Sequence, residues 1–195
     1  MRIDFKDFLQ KKIGITDEQY DLLEPWISFK SVEKNTILLQ QENVCSEVYF
    51  VLEGLLRAYT IDEQDKLHVI QFAPEESWIA DRNSFYFGEP ALFFIDTYED
   101  SEVAVLNREF FAHLNKMPEF FEFQVRLLHN YIRQLQMRVN MLLSASAEAR
   151  YLDFTNRYPN LTLRVPQWMI ATYLGITPES LSRVRKELAR RNFNK

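Results

Sequence analysis

The chain has 195 residues, 47% hydrophobic and 26% charged, a composition typical of a globular protein with one or two cored domains. It has no run of 18 apolar residues, and residues 1–12 lack the apolar stretch of a signal peptide, so we expect no membrane partner and a cytoplasmic location. A single cysteine, Cys45, excludes an internal disulfide and a zinc or iron–sulfur site built on several thiolates.

The net charge of −5 is divided unevenly along the chain. Residues 164–195 carry seven Lys and Arg against two Asp and Glu, whereas the preceding residues are strongly acidic. Binding to phosphates is therefore expected at the C-terminal end.

Residues 3–26 show helical spacing, with Thr16 placed to cap a second short helix. The next seventy residues favour short strands separated by turn residues, which predicts a small antiparallel barrel or roll. We expect a hairpin at Glu53-Gly54 and a second turn at residues 62–65. The predicted strands are Thr36–Leu39, Val48–Leu52, Leu55–Ile61, Leu67–Phe72 and Val103–Leu106.

A long helix is predicted to start near Arg108, to resume after Pro118 and to end near Leu143. Its apolar residues recur with heptad spacing over about three heptads, β-branched at one position and mostly Leu at the other, which favours a parallel dimer. Burial of the helix against its own domain is the alternative. The predicted dimerisation residues are Phe121, Val125, Leu128, Ile132, Leu135, Val139 and Leu142. Residues 144–146 are a predicted hinge before a helix from Ala147 to Arg157.

Residues 167–186 have the pattern of two helices joined by a tight turn, a helix-turn-helix. Ala171 is small where the helices must cross, and Gly175 supplies the left-handed conformation that ends the first helix. Thr177 is placed to cap the second helix and Pro178 to begin it. The predicted shared core comprises Ile170, Leu174, Ile176, Leu181 and Val184.

The polar face of the second helix would enter the major groove of DNA. Arg183 can donate a bidentate pair to guanine and Glu179 can accept from cytosine, so we expect these two residues to read bases. The other expected DNA contacts, chiefly to phosphates, are Ser180, Ser182, Thr177, Gln167, Arg164, Arg185 and Lys186.

The chain resembles the cyclic-AMP receptor protein/FNR (Crp/Fnr) family of bacterial regulators over nearly its whole length. The turn Val51-Leu52-Glu53-Gly54 is similar to one in the family's β-roll, and residues 178–183 are similar to its recognition-helix core, Arg-Glu-Thr-Val-Gly-Arg. The resemblance implies an α+β fold: an N-terminal double-stranded β-helix (a jelly-roll-like, cyclic-nucleotide-binding-type β-roll), a long dimerisation helix and a C-terminal helix-turn-helix. It also implies that Glu179 and Arg183 read bases, and that RNA polymerase is a further partner. Pro178 stands where the family has arginine, which implies a different half-site.

Cyclic-AMP binders of the family use a Gly-Glu pair for the ribose and an Arg-Ser pair, about ten residues later, for the cyclic phosphate. The nearest match by context, ending at Asp81, places Ala91-Leu92 at the Arg-Ser position, and the literal Gly88-Glu89 places two acidic residues there. A phosphate buried without a cation costs several kcal/mol. We therefore expect no cyclic AMP and no other cofactor, and the effector is unknown. The expected pocket residues are Trp78, Asp81, Arg82, Ala91 and Leu92.

Aromatic residues are concentrated in this region: Trp78, Phe85, Tyr86, Phe87, Phe93 and Phe94. They could line an apolar ligand cavity or form part of the core, and the sequence leaves both readings open. Haem bound by His68, His113 or His129 is a further alternative, although a lone histidine is more often a surface or hydrogen-bonded residue.

Only eight residues follow Glu187, too few for the wing hairpin that follows the recognition helix in the family. We expect Arg190, Arg191 and Lys195 to replace part of the wing's phosphate contacts.

These observations predict a sensor domain over residues 1–117, a dimerisation helix and hinge over 118–145 and a DNA-binding domain over 146–195. The predicted function is that of a homodimeric transcriptional regulator that reads a pseudo-palindromic site. The rival hypothesis is a small-molecule sensor or protein-interaction module of the same fold that has lost sequence-specific DNA binding. No metal-ligand spacing or phosphate-binding loop is present, and we expect no enzyme activity.

Overall fold

The protein forms two compact units in the computed structural model, which describes residues 3–193. One unit contains the residues up to Thr60 together with Ile70–Leu128, and the other contains Ile61–Val69 and the residues from His129 onward. The chain enters the second unit twice because the tip of one β-hairpin belongs to it.

The first unit is an antiparallel β-roll with flanking helices, which confirms the predicted fold class. Its strands form two four-stranded sheets, in the orders β1-β8-β3-β6 and β2-β7-β4-β5. The elements are α1 (Phe5–Ile13), α2 (Asp17–Leu23), β1 (Ile27–Val32), β2 (Ile37–Leu39), β3 (Val48–Glu53), β4 (Leu56–Ile61), β5 (Leu67–Ala73), β6 (Trp78–Ile79), α3 (Arg82–Phe87), β7 (Phe94–Thr97), β8 (Ser101–Leu106) and α4 (Arg108–Leu114).

The two predicted N-terminal helices form, and Thr16 caps the second as expected. Thr16 accepts a hydrogen bond from the backbone N–H of Gln19, and the Gln19 side chain accepts one from the Thr16 N–H, which completes a capping box. Phe5 and Phe8 of α1 pack their rings on Phe50 of β3. Helix α1 thereby contributes to the apolar core of the roll.

The predicted hairpin at Glu53-Gly54 is wrong, because β3 and β4 belong to different sheets. Gly54 does adopt a positive φ, 95°, but the turn carries the chain from one sheet to the other. Strand β3 pairs with β8, and β4 pairs with β7. The turn at Gly54 was predicted correctly. The partners of β3 and β4 were not, because they are strands far away in the sequence that the turn does not specify.

Three strands were not predicted from the sequence: β1, β6 and β7. Strand β1 has four consecutive exposed residues and therefore lacks the alternation of a half-buried strand. Strands β6 and β7 contain only two and four residues and lie beside the aromatic segment that was a candidate pocket.

The second predicted turn, at residues 62–65, does form a hairpin between β4 and β5. The Asp62 carboxylate accepts hydrogen bonds from the N–H groups of Gln64 and Lys66 and lies 2.6 Å from His68 Nε2. The contact with His68 and the backbone hydrogen bond from Lys66 lower the pKa of Asp62 to about 2. The carboxylate thus stabilises the tip across the neutral pH range.

Four of the remaining five helices match the predicted positions closely, whereas α7 was not predicted from the sequence. The five helices are α5 (Pro118–Ser144), α6 (Ala147–Arg157), α7 (Leu161–Arg164), α8 (Gln167–Leu174) and α9 (Pro178–Phe193). Helix α5 runs without interruption from the first unit into the second. Ser146 caps α6 by accepting the N–H of Ala149 at 3.2 Å, as expected for a hinge that restarts a helix.

Replacement of Gly54 by alanine tests the sheet-switching turn. An added Cβ would lie 2.5 Å from the Asp100 carbonyl oxygen and 2.8 Å from Ser101 Cα, in a left-handed conformation that alanine disfavours. We expect G54A to lower the free energy of unfolding by more than about 2 kcal/mol in urea denaturation. Gly88→Ala is the matched control, because Gly88 also has positive φ but faces open space. Equal losses in the two variants would contradict the close approach.

Candidate nucleic-acid interface

The turn between α8 and α9 has the geometry of a helix-turn-helix. Gly175 adopts the left-handed conformation at φ 65°, and the N–H of Ile176 donates to the Ala171 carbonyl at 3.0 Å. Thr177 Oγ1 then accepts the N–H of Ser180 at 3.2 Å, which caps α9. The local structure therefore begins α9 at the residue that the sequence predicted.

The inner faces of α8 and α9 share a small apolar core. Ala171 and Leu181 are fully buried where the two helices meet, and Leu188 is half-buried one turn beyond Val184. Four of the five predicted core residues are buried, whereas Ile176 in the turn is half-buried. The buried residues of this core are Phe154, Leu161, Val165, Met169, Ile170, Ala171, Leu174, Leu181 and Val184.

The opposite face of α9 carries a stripe of charged residues, which we call the reading stripe: Glu179, Arg183, Lys186 and Arg190. All four are exposed, and their spacing of four, three and four residues places them on one side of the helix. An open groove runs along this side, where Pro178, Ser182 and Glu187 also contribute. The stripe brings the two predicted base-reading residues together with two further cations.

The charge state of Glu179 is set by the start of the helix. The pKa of its carboxyl group is lowered by a hydrogen bond from its own backbone N–H and by the Thr177 hydroxyl. The side chain therefore remains ionised, and can accept hydrogen bonds, at neutral and mildly acidic pH.

The other predicted DNA contacts lie around the reading stripe with varied exposure. Gln167 is exposed at the first position of α8, whereas Arg164 at the end of α7 and Arg185 on α9 are half-buried. Ser180 and Ser182 are half-buried, and the Thr177 hydroxyl donates to Ser180 Oγ at 3.2 Å. Thr177 is thus engaged in capping α9.

The two arginines predicted to replace the wing differ in their surroundings. Arg191 Nη1 lies 2.6 Å from Glu148 Oε1, an ion pair between α9 and α6. Arg190 lies on the reading stripe instead. The third candidate, Lys195, is outside the described residues.

Sequence reasoning missed the arginine that fastens the ends of two helices. Arg150 of α6 donates to the carbonyl oxygens of Leu142 and Ala145 at the end of α5, and of Leu174 at the end of α8. Carbonyls at helix C-termini have no partners within their helix and carry partial negative charge, so a guanidinium suits them. A lone arginine on a predicted helix gives no sequence signal of such a contact.

The heptad residues of α5 are all exposed in the single chain. Their exposed fractions range from 37% for Leu128 to 67% for Phe121. The alternative reading, in which this face packs against its own domain, is therefore disfavoured. The predicted dimerisation residues form one continuous apolar face, which we call the α5 seam.

The residues of the predicted ligand pocket are engaged in the structure of the roll. The buried Asp81 carboxylate accepts the N–H groups of Ser84, at 3.0 Å, and Leu92, at 2.7 Å. Ala91 is buried and donates its N–H to the Asn43 carbonyl, while the Leu92 side chain is exposed. The Arg82 guanidinium lies over the Tyr86 ring at 5.2 Å. Asp81 therefore caps α3 and ties it to the segment that follows.

The aromatic residues of this region do not share one environment. Trp78 packs among Phe5, Phe8 and Phe50 in the core, whereas Phe87 is 77% exposed. Phe94 stacks on Tyr59 at 5.3 Å. Of the two alternatives for this set, a ligand cavity or core, the core applies to Trp78 and to the buried Phe85.

Two of the three histidines considered for haem have protein neighbours. His68 faces Asp62, and His113 stacks on Trp26 and lies 2.9 Å from the Glu109 carbonyl oxygen. In the described part of the chain, no group of three or more His, Cys, Asp or Glu is arranged to hold a metal ion. Among the helices of residues 3–193, none combines the length and apolar character needed to cross a bilayer.

The sequence is similar to one known domain family and to several known proteins. Residues 29–116 match the cyclic nucleotide-binding domain family. The chain is 26% identical over 170 residues to the regulatory protein HlyX of Actinobacillus pleuropneumoniae, covering 80% of this chain and 69% of HlyX. It is 24% identical over 159 residues to the neuropathy target esterase sws of Drosophila yakuba, covering 74% of this chain but only 11% of the esterase. So small a share of the esterase gives no argument for esterase activity.

Solved structures share the fold over most of the chain. FixK2 from Bradyrhizobium japonicum superposes with a TM-score of 0.70 at 18% identity, covering 85% of this chain and 86% of FixK2. A transcriptional regulator of the Crp/Fnr family from Thermus thermophilus gives 0.61 at 18% identity, covering 84% and 87%. Residues 29–116 therefore match a cyclic nucleotide-binding domain, and the chain shares its fold with FixK2 and with a regulator of the Crp/Fnr family, which agrees with the fold that the resemblance predicted.

Proposed function

We propose that this protein is a homodimeric transcriptional regulator that reads a pseudo-palindromic DNA site through α9. The observation that supports this most strongly is the reading stripe, an exposed row of polar and cationic side chains on a capped helix of a helix-turn-helix. A recognition helix in this motif lies in the major groove and presents such a face to base edges.

Glu179 and Arg183 are the proposed base-reading pair. One turn apart on α9, they reach neighbouring base pairs, with Arg183 donating to guanine O6 and N7 and Glu179 accepting from cytosine N4. Lys186 and Arg190 continue the stripe and bind the flanking phosphates. Gln167, at the start of α8, and Arg164, at the end of α7, add contacts to the phosphate backbone of the DNA.

The α5 seam supplies the dimer. Seven apolar side chains at heptad spacing are exposed on one face, and a second copy of the same helix in parallel would bury them. Two-fold symmetry would place the two recognition helices about 34 Å apart, in successive major grooves. This symmetry is the reason for expecting a pseudo-palindromic site.

Cyclic AMP is not the proposed effector. The cyclic phosphate would lie at Ala91-Leu92, which offers no cation, and the N–H of Leu92 is already bound to the Asp81 carboxylate. An incoming phosphate would meet a buried carboxylate within hydrogen-bond distance of the same N–H, and two like charges there repel strongly.

Selection from random-sequence DNA tests the proposed function. We expect the wild-type protein to enrich an inverted repeat, with and without cyclic AMP. Glu179→Gln and Arg183→Ala should each relax preference at one position per half-site, at a cost of about 1–3 kcal/mol for the preferred base. Lys186→Ala should weaken binding to all sequences alike.

The control for this selection is Gln134→Ala, which changes an exposed residue of α5 off the seam and should leave the motif unchanged. A wild-type protein that enriches no motif would favour the rival, a sensor or interaction module without sequence-specific DNA binding. Enrichment of a direct repeat would contradict the two-fold dimer.

Arg190 and Arg191 should differ in their contribution to DNA binding, because only Arg191 is held in an ion pair with Glu148. We expect Arg190→Ala to reduce the slope of log affinity against log salt concentration by about 0.9 for each subunit, because one phosphate contact is lost. Arg191→Ala should leave the slope nearly unchanged, because Glu148 already holds its guanidinium. Fluorescence anisotropy on one duplex at several salt concentrations measures both. Equal decreases would show that both arginines contact phosphate.

Substitution within the α5 seam tests the dimer. Ile132→Asp places two carboxylates opposite each other in a parallel pair and removes two buried isoleucines, so we expect dimer dissociation to rise at least about 100-fold. Gln134→Asp introduces the same charge off the seam and should dissociate like the wild type. Sedimentation equilibrium gives the constants. A wild-type protein that stays monomeric at micromolar concentration would contradict the proposal that the α5 seam forms a dimer interface.

A further inference from the structure

A small cavity lies among α5, α6 and α8, entirely within the second compact unit. Its volume is about 30 Å³, and a water molecule requires only about 10–15 Å³. The cavity therefore has room for a water molecule or a monatomic ion, whereas a nucleotide needs a site of roughly 300 Å³ or more.

The lining of the cavity carries an excess of positive charge. Three guanidinium groups, those of Arg138, Arg150 and Arg157, line it together with the carboxylate of Asp153. The carbonyl ends of α5 and α8 add the partial negative charge of a helix C-terminus, about half an elementary charge each. The lining thus retains about one positive charge, which favours an anion as the ligand.

Arg150 of α6 forms one wall of the cavity and has N–H groups left for a ligand. Its Nε, Nη1 and Nη2 atoms each donate to one carbonyl oxygen, those of Ala145, Leu174 and Leu142. A guanidinium has five N–H groups, so two of them have no acceptor among the described residues. The side chain is half-buried, and an N–H group in such a place needs an acceptor to offset its desolvation.

Arg157 lies two turns further along α6, on the same face as Arg150. In the described part of the chain its one hydrogen bond goes from Nη2 to Asp153 Oδ2, at 3.2 Å. The two side chains of this ion pair are 23% and 37% exposed, so the cavity can be reached from solvent. An anion in the cavity would therefore lie beside both guanidinium groups of α6.

Arg138 of α5 lines the cavity from a different helix. Its guanidinium lies 4.3 Å from the centroid of the Tyr173 ring, and its contacts include the carbonyl oxygens of Val69 and Tyr173. Arg138 therefore adds to the positive field in the cavity.

We propose that this cavity binds a monatomic anion such as chloride between Arg150 and Arg157. The ion accepts N–H groups from both guanidinium groups and offsets their mutual repulsion. Bound at the junction of three helices, it stabilises the folded protein in proportion to its occupancy. The site does not depend on DNA binding, so its test and the test of the proposed function can fail separately.

Thermal unfolding of the whole chain without DNA tests the site. Chloride replaces gluconate stepwise at constant ionic strength, because gluconate is too large for the cavity and constant ionic strength leaves the screening of surface charges unchanged. We expect Tm to rise saturably by about 2–4 °C as chloride fills the site. A Tm that is independent of chloride, or that rises without saturating, would contradict a discrete site.

Two substitutions within the ion pair should act in opposite directions. Arg157→Gln removes one ligand of the anion and leaves the charge of Asp153 beside the cavity, so we expect chloride affinity to fall at least about tenfold. Asp153→Asn removes the repelling carboxylate, so chloride affinity should rise about fivefold. Both variants should fold, because a partly exposed i,i+4 ion pair contributes little to stability. Arg150 is retained in both, because it also holds the ends of α5 and α8.

Lys11→Gln and Asp7→Asn provide the matched control. These two residues form an exposed i,i+4 ion pair on α1, in the first compact unit. Both variants should retain the wild-type dependence of Tm on chloride. Equal chloride affinities in the wild type, Arg157→Gln and Asp153→Asn would show that chloride acts on the protein generally, and would overturn the proposal.

Crystals grown in bromide give a direct measurement, because bromide scatters anomalously. We expect an anomalous peak beside the guanidinium groups of Arg150 and Arg157 in the wild type, and its loss in Arg157→Gln. A peak at this position together with a Tm that does not respond to chloride would mean an adventitious ion only, and would contradict the proposed site.

Discussion

The arrangement of the C-terminal half depends on one guanidinium, that of Arg150. It donates to the last carbonyls of α5 and of α8, two helix ends whose partial negative charges would otherwise face each other. At the same place a Cβ on Gly175 would lie 3.1 Å from Leu142 Cδ2, so the turn approaches α5 closely. The absence of a side chain at Gly175 permits this close approach. Arg150 provides hydrogen bonds to the carbonyl groups at the two helix ends that meet there. The junction thus joins α5, α6 and α8, and the buried core of α8 and α9 extends it to the second helix of the motif.

The buried and the charged residues of α9 lie on different faces of the helix. Leu181 and Val184 face the core, whereas the cations of the reading stripe are exposed to solvent. Arg191 differs from them, since Glu148 holds it in an ion pair that joins α9 to α6. The remainder of the protein is acidic, so its long-range field would favour approach of a polyanion to the C-terminal end.

The sequence predicted what local chemistry decides. Thr16 and Thr177 as caps, the glycine that ends α8 and the heptads of α5 all act within a few residues, and the structure places them as expected. The partner of β3, the switch of sheets at Gly54, and the contacts of Arg138 and Arg150 involve residues far apart in the chain. Nothing in the neighbourhood of Arg150 distinguishes it from an exposed helix arginine. The exposure of the proposed base-reading residues could be predicted, because exposure on a capped helix follows from periodicity. The role of Asp81 as the cap of α3 could not be predicted, because it depends on the contacts of a short helix in the roll.

The polar groups of the roll limit the chemistry of an effector. Arg57 and Asp96 form a bidentate pair at 2.8 Å across neighbouring strands, nearly excluded from solvent, and the Asp81 carboxylate is held by two backbone N–H groups. A phosphate bound beside Asp81 would compete for the Leu92 N–H and leave a buried charge uncompensated, at a cost of several kcal/mol. This cost is the physical reason behind the proposal that cyclic AMP is not the effector.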